Sequence, residues 1–303
     1  MYSDIPVHFS TQSVILLNVI LAGMIFGISM SLTKEDLTRV LRYPRAPIAG
    51  LIAQFLLLPA LTGLACWAFA IEPELALGMI LVASCPGGTF SNIMTWLGRA
   101  SVPVSISMTG VSSLSAIIMT PLNFSLYSYL NPYTRPLMRD IAIDPINIFA
   151  LVLLVLVLPM LLGMAFGKRH PALTQKAEKP MRIVTLAVFL LFVVVAFSNN
   201  QQAITQYADQ VLIFVALQNL GALLLGDLCS RAMRLSQADR RAVTMEVGIQ
   251  NSALGLTIIF TFFPQVGGMT LIAGFWSFWH LLVGLLLAMY WAKTAEDVCL
   301  TPS

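Results

Sequence analysis

Glu246-Val247-Gly248-Ile249-Gln250-Asn251-Ser252-Ala253-Leu254-Gly255 is the stretch that decides how this chain is read. It lies inside an apolar run that begins after Arg240-Arg241 and continues to Phe263. An acid and two amides stand close together where hydrocarbon is expected, and Glu246 is the only acid between Asp239 and Glu296. A carboxylate at membrane depth costs a few kcal/mol or more, so by default it marks an ion or substrate pathway. The plainer alternative is a glutamate paired with Arg240 or Arg241 at a helix end. It is the weaker one, because Glu246 sits more than a helical turn further in. Gln250-Asn251 followed by Ser, Ala and Gly also reads as a helix interruption, and broken helices are where transporters expose carbonyls and helix N-termini to ions. The stretch is read as a cation site.

The composition agrees with a membrane setting. Of 303 residues, 58% are hydrophobic and 10% charged, and the mean hydropathy is +0.84; soluble proteins carry about 25% charged residues. Apolar stretches of roughly 20 residues recur from end to end, which indicates helices rather than the weak alternation of an outer-membrane barrel. The net charge of +3 gives no reason to expect nucleic acid. Cys66, Cys85, Cys229 and Cys299 are scattered, with neither a CxxC pair nor a histidine partner, so disulfides and zinc are not expected. Met1 to Gln12 holds no Lys or Arg, and the first apolar run is read as a retained span rather than a signal peptide.

Nine spans are predicted, at 12–33, 45–70, 73–98, 101–130, 144–167, 182–199, 207–232, 237–264 and 270–293. Lys and Arg concentrate in alternate connections. These are Lys34 to Arg45, then Lys168 to Arg182 (read as a linker lying on the membrane surface), then Arg231 to Arg241. This places the N-terminus outside and the C-terminus in the cytoplasm of a bacterial-type inner membrane. Arg135 and Arg139 are exceptions, offset by Asp140 and Asp144. The third span is interrupted at Cys85-Pro86-Gly87-Gly88-Thr89, since proline removes a donor and paired glycines permit unwinding. The eighth is interrupted near Gly248 to Ser252. Interrupted spans of opposite direction in matching places are the mark of an inverted repeat with its site at the midplane. At 1.5 Å per residue, Gly87 lies about 20 Å into its span, and Glu246, His280 and Gln54 about 15 Å into theirs. Ser105 and Thr109 share a face at i, i+4. Oxygen-rich, sulfur-free groups of this kind suit a hard cation such as Na⁺.

Cys85-Pro86-Gly87-Gly88-Thr89-Phe90-Ser91-Asn92 and Glu246 to Ala253 resemble the two signature segments of the bile acid:sodium symporter family. Gly27 to Leu32 with Asp36, Tyr43-Pro44-Arg45 and Ala53-Gln54-Phe55 resemble its N-terminal region, and the likeness extends from about residue 20 to 293. It implies an all-α polytopic membrane protein, one transporter domain over 1–303 in which two broken helices cross. A core (about 45–130 and 207–293) would face a panel (about 12–33 and 144–199). It implies two Na⁺ sites, one from Ser91, Asn92, Ser105, Thr109 and Glu246, the other from Gln54, Glu246 and Gln250 with the carbonyls of Val247 and Ile249. Substrate contacts carry over to Thr89, Asn251 and His280. The substrate would be an organic anion, either bile-acid-like or a small carboxylate such as pantoate or a 2-oxo acid. Some bacterial members carry an extra first helix, which is not expected here. Many have an asparagine where this chain has Leu281, a departure read as disfavouring bile acids.

Other features have plainer readings. Thr89 doubles as a candidate helix cap, and Trp276, Phe278 and Trp279 as packing. Gly23 with Gly27 and Gly163 with Gly167 suit close helix contact within the panel rather than dimerisation, and a monomer is the working expectation. Gln218-Asn219 reads as an internal hydrogen-bonding pair. No GxSxG, HExxH, phosphate loop or acidic magnesium cluster supports an enzyme. The alternative is a proton-coupled or passive organic-anion transporter or exporter of the same fold.

Overall fold

The computed structural model describes residues 11–141, 144–199 and 201–300, almost wholly as helices. They are α1 (Thr11–Ser29), α2 (Lys34–Arg42), α3 (Arg45–Ile52), α4 (Leu58–Ala68), α5 (Pro73–Ser84), α6 (Phe90–Leu97), α7 (Val102–Leu130), α8 (Arg135–Ile141) and α9 (Pro145–Val152). After them come α10 (Leu158–Arg169), α11 (Pro171–Asn199), α12 (Gln201–Ala232), α13 (Gln237–Gly248), α14 (Ser252–Phe262) and α15 (Gly267–Leu300). Single π-turns, Ala53–Leu57 and Leu153–Val157, join α3 to α4 and α9 to α10. Among the described residues, five helices are long and apolar enough to cross a membrane: Arg45–Ala68, Val102–Leu130, Pro145–Arg169, Thr205–Ala232 and Gly267–Thr294. Leucines such as Leu61, Leu154, Leu217 and Leu286 are exposed along them, as a lipid-facing surface requires.

Local chemistry sets the helix ends. Glu72 accepts hydrogen bonds from the Glu74 and Leu75 amides while Pro73 occupies the first turn, so α5 begins there. It stops at Ser84 because Cys85 precedes a proline and is driven to an extended backbone (φ −74°, ψ 156°). Two of the charges that depart from the expected alternation, Arg135 and Asp144, serve helix ends. Arg135 Nε donates to the Tyr129 carbonyl at the close of α7, and Asp144 accepts the Ile146 amide at the start of α9. The π-turns also have a cause. Pro59 and Pro159 cannot donate to the residue four before them, and the chain widens at those points. The Phe55 carbonyl left over by Pro59 is taken by Asn123 Nδ2 at 2.8 Å.

Each predicted span overlaps helix, with ends that differ by up to a few residues, and both interruptions fall on non-helical backbone, at 85–89 and 249–251. One element differs. Lys168 to Arg182, read as a linker, is helical except for a break at His170, and α11 runs unbroken through Pro180. Pro171 suits a first helical position, and the Ala, Leu, Gln and Lys that follow are good helix formers.

Helix α1 packs on α10 and α11, while α13 packs on α3, α6, α7 and α12. Glycines set the first contact. A Cβ at Gly163 would strike the Phe26 carbonyl oxygen, and one at Gly167 the Met30 carbonyl oxygen. Gly27 lies against Met181 of α11, whereas nothing lies within 4 Å of where a Gly23 Cβ would be. Gly167→Ala should therefore force α1 and α10 apart at a cost of about 1–3 kcal/mol, and Gly23→Ala should be neutral. Thermal unfolding in detergent checks both.

Candidate functional site

The two interruptions meet. Gly88 N donates to the Ile249 carbonyl (2.6 Å) and Asn251 N to the Pro86 carbonyl (2.8 Å), and Gly87 and Gln250 form an isolated antiparallel bridge. The α5–α6 and α13–α14 backbones thus cross in opposite directions. A Cβ at Gly88 would lie 2.7 Å from the Gln250 carbonyl oxygen, so the crossing requires glycine there. Carbonyls freed by unwinding take donors from neighbouring helices. Thr120 Oγ1 donates to Ser84 O (2.8 Å), Gln54 Nε2 to Cys85 O (2.8 Å), and Asn219 Nδ2 to Gly248 O (2.7 Å).

Glu246 lies on the last turn of α13 with 1% of its surface exposed. Its Oε2 accepts from Ser91 Oγ of α6 (2.5 Å) and Thr109 Oγ1 of α7 (2.9 Å). Thr109 Oγ1 is also 3.0 Å from the Ser105 carbonyl and 3.4 Å from Asn92 Oδ1. A hydroxyl has one proton, so it serves only one of these acceptors at a time. The other oxygen, Glu246 Oε1, is buried without a donor and faces Gly87, where a Cβ would collide with it. The structure therefore brings Ser91, Asn92, Ser105, Thr109 and Glu246 into one polar cluster.

Beside it, Gln54 stands in the π-turn of Ala53–Leu57. Its Nε2 donates to Gln250 Oε1 (2.6 Å), and Gln250 Nε2 donates to the Val247 carbonyl (2.8 Å). Gln54 Oε1 is left buried with no donor. The Val247 and Ile249 carbonyls each hold one hydrogen bond from the protein and keep a second lone pair. The arrangement is rich in oxygen and short of protons, which suits a cation with oxygen ligands.

The three predicted substrate contacts do not gather at one place. Thr89 and Asn251 line one cleft against Leu21, Met24 and Ile25 of α1. Thr89 and Phe90 also line a second cleft of about 40 Å³, further along α1 at Ile25, Ser29 and Leu32 and bordered by Asn92 and Thr109. Asn251 caps α14, accepting from Leu254 N at 3.1 Å. Thr89 precedes α6 without any side-chain cap bond, so the capping reading does not hold for it. His280 lines neither cleft. It is 1% exposed, 6.4 Å from the Trp276 ring, with no hydrogen-bond partner at either nitrogen. Leu281 sits in the main apolar cluster, not in either cleft.

Residues 18–207 match the Sodium Bile acid symporter family, more than half of the chain. The chain belongs to that family. Members of the Sodium Bile acid symporter family are transporters, and this chain is a transporter rather than an enzyme. Among its relatives is an uncharacterized sodium-dependent transporter, YocS, of Bacillus subtilis, 28% identical over 92% of this chain and 84% of that protein. The probable chloroplastic sodium/metabolite cotransporter BASS1 of Arabidopsis thaliana is 30% identical over 89% of this chain. A sodium-dependent organic anion transporter of Mus musculus is 28% identical over 80%. The chain spans about two thirds of the length of the latter two, 65% and 64%.

Several contributors escape a reading of the sequence. Thr95 Oγ1 donates to Ser105 Oγ at 3.3 Å, and its i, i+4 spacing from Ser91 was an available signal. Thr120, Asn123 and Asn219 support the site from a distance, and nothing local marks them. Gln218 and Asn219 both hydrogen-bond internally, as the sequence suggests, but to separate partners. Gln218 Nε2 bonds Met79 O (2.8 Å) and Thr62 Oγ1 (3.3 Å), while Asn219 holds Gly248. Asn219→Leu would leave the Gly248 carbonyl buried without its donor and should destabilise the protein by about 1–3 kcal/mol, read as a lower unfolding midpoint with expression retained.

Proposed function

We propose that this chain is a sodium-coupled symporter that carries an organic anion inward across a bacterial inner membrane by alternating access. The observation that carries the reading is the pair of buried acceptors without donors, Glu246 Oε1 and Gln54 Oε1, at a helix crossing. A buried carboxylate facing other oxygens is costly unless a cation supplies the missing positive charge. One Na⁺ is assigned to Ser91, Asn92, Ser105, Thr109 and Glu246. A second is assigned to Gln54, Glu246, Gln250 and the carbonyls of Val247 and Ile249. The relatives' names, sodium-dependent transporter and sodium/metabolite cotransporter, support sodium coupling itself.

The anion is assigned to the junction of the two clefts, where Thr89, Asn251 and the starts of α6 and α14 lie together. Helix N-termini offer free amides and positive dipole ends to a carboxylate. A cleft of about 40 Å³ holds a few waters but no organic anion, so loading requires the panel (α1, α9 to α11) and the core to separate. The positive-inside distribution orients the C-terminus to the cytoplasm, and one copy is the transport unit. His280 enters this reading through the family resemblance alone. The substrate class is a small carboxylate, pantoate-like or a 2-oxo acid, gripped by Thr89 and Asn251.

Glu246→Gln keeps shape and removes charge. It is expected to lower sodium-stimulated uptake at least tenfold and to abolish the sodium-dependent rise in unfolding midpoint, while the protein still inserts; wild-type sodium dependence in either assay would reject the assignment. Substrate class is tested by competition against uptake of whichever labelled anion is active. Pantoate-like and 2-oxo acids should compete better than taurocholate, and the reverse order would discard the small-carboxylate reading.

A further inference from the structure

A larger cavity, of about 730 Å³, opens away from the crossing, where the end of α1 meets the start of α2 and the α10–α11 junction. Its size falls in the roughly 300–1,000 Å³ range of small-ligand sites. Lys34, Glu35 and Lys168 stand on its wall together with Thr174 and Gln175, and Leu161 and Met164 form its apolar side. Both lysines are exposed, and neither pairs with a described carboxylate. The helices α2 and α11 both begin at this wall, so their positive ends border it.

The apolar side gives the decisive clue. Leu158, one turn before Leu161 on α10, is 44% exposed, and Leu154 before it is 60% exposed. Leu161 on the cavity wall is thus followed, at helical spacing, by exposed leucines that lead away from the Lys- and Arg-rich end of the bundle. A soluble anion has no use for those leucines. Basic pockets between membrane helices, next to juxtamembrane Lys and Arg, recognise anionic head groups.

We infer that this cavity seats an anionic phospholipid of the phosphatidylglycerol class, in the leaflet that contacts the Lys- and Arg-rich loops. Lys34 and Lys168 hold the phosphodiester. Glu35 and Gln175 face the glycerol hydroxyls of the head group, and the acyl chains lie along Leu161, Leu158 and Leu154. None of these residues belongs to the Glu246 cluster. Ser31 and Leu32 line both this cavity and the cleft beside Thr89, so the lipid borders the transport path without entering the ion site.

The test is lipid retention by the purified full chain, measured by native mass spectrometry after exposure to phosphatidylglycerol, phosphatidylethanolamine or phosphatidylcholine with identical chains. Phosphatidylglycerol should be retained preferentially. The double variant Lys34→Gln/Lys168→Gln should lose roughly tenfold or more of that retention, and Lys34→Arg/Lys168→Arg should keep it. Lys176→Gln, which removes a nearby charge outside the cavity, should leave it unchanged, as should millimolar inorganic phosphate. Glu246→Gln should also retain the lipid, which separates this site from the transport reading. Equal retention of the three lipids, preference for the ethanolamine lipid, displacement by inorganic phosphate, or full retention by the glutamine double variant would each overturn the assignment.

Discussion

Two main-chain hydrogen bonds, Gly88 N to Ile249 O and Asn251 N to Pro86 O, hold together everything that matters at the centre of this protein. Unwound backbone inside a membrane carries amides and carbonyls that lipid cannot satisfy, each at a cost of several kcal/mol. Here each break supplies the other's partner. Thr120, Gln54 and Asn219 then serve Ser84, Cys85 and Gly248, and the side chain of Gln250 turns back onto Val247. Neither broken helix is tenable alone. The crossing is a mutual condition, and it fixes where Glu246 stands.

Proton supply explains the character of the site. Around Glu246 the acceptors outnumber the hydroxyl protons aimed at them. Ser91 and Thr109 both address the same carboxylate oxygen, and the other has no donor. An ordinary structural glutamate would have been given an arginine or an amide. Arg240 instead pairs with Asp227 at 3.1 Å, and Arg241 lies over the Trp291 ring, both turned away from the carboxylate. The bundle keeps its positive side chains at the margins and leaves oxygen in the middle.

Much of this could be read from the chain itself, for identifiable reasons. Pro86 with Gly87-Gly88, and an acid with two amides in an apolar run, are local violations of helix chemistry, and local violations survive in a sequence. The five long apolar helices were legible because hydrocarbon thickness imposes a length. What stayed hidden depends on distant partners. Gln218 and Asn219 look like a pair until Met79 and Gly248 are seen to claim them separately. Asn123 owes its role to a proline in another helix. His280 shares its predicted depth of about 15 Å with Glu246 and Gln54 yet lines neither of the clefts beside the crossing, since depth along an axis carries no information about azimuth.

Because the crossing is sewn from backbone atoms, its bonds survive exchange of side chains, except where proline would remove a donor at 88 or 251 or a Cβ would intrude at Gly88. Thr89 and Asn251 flank the stitch without forming it through their side chains. If the anion is held as proposed, a lineage can vary those two positions, and with them the cargo, while keeping the backbone crossing. On that assignment selectivity and energy coupling are separate traits under separate selection, and diversification costs the fold little beyond the cap that Asn251 gives α14.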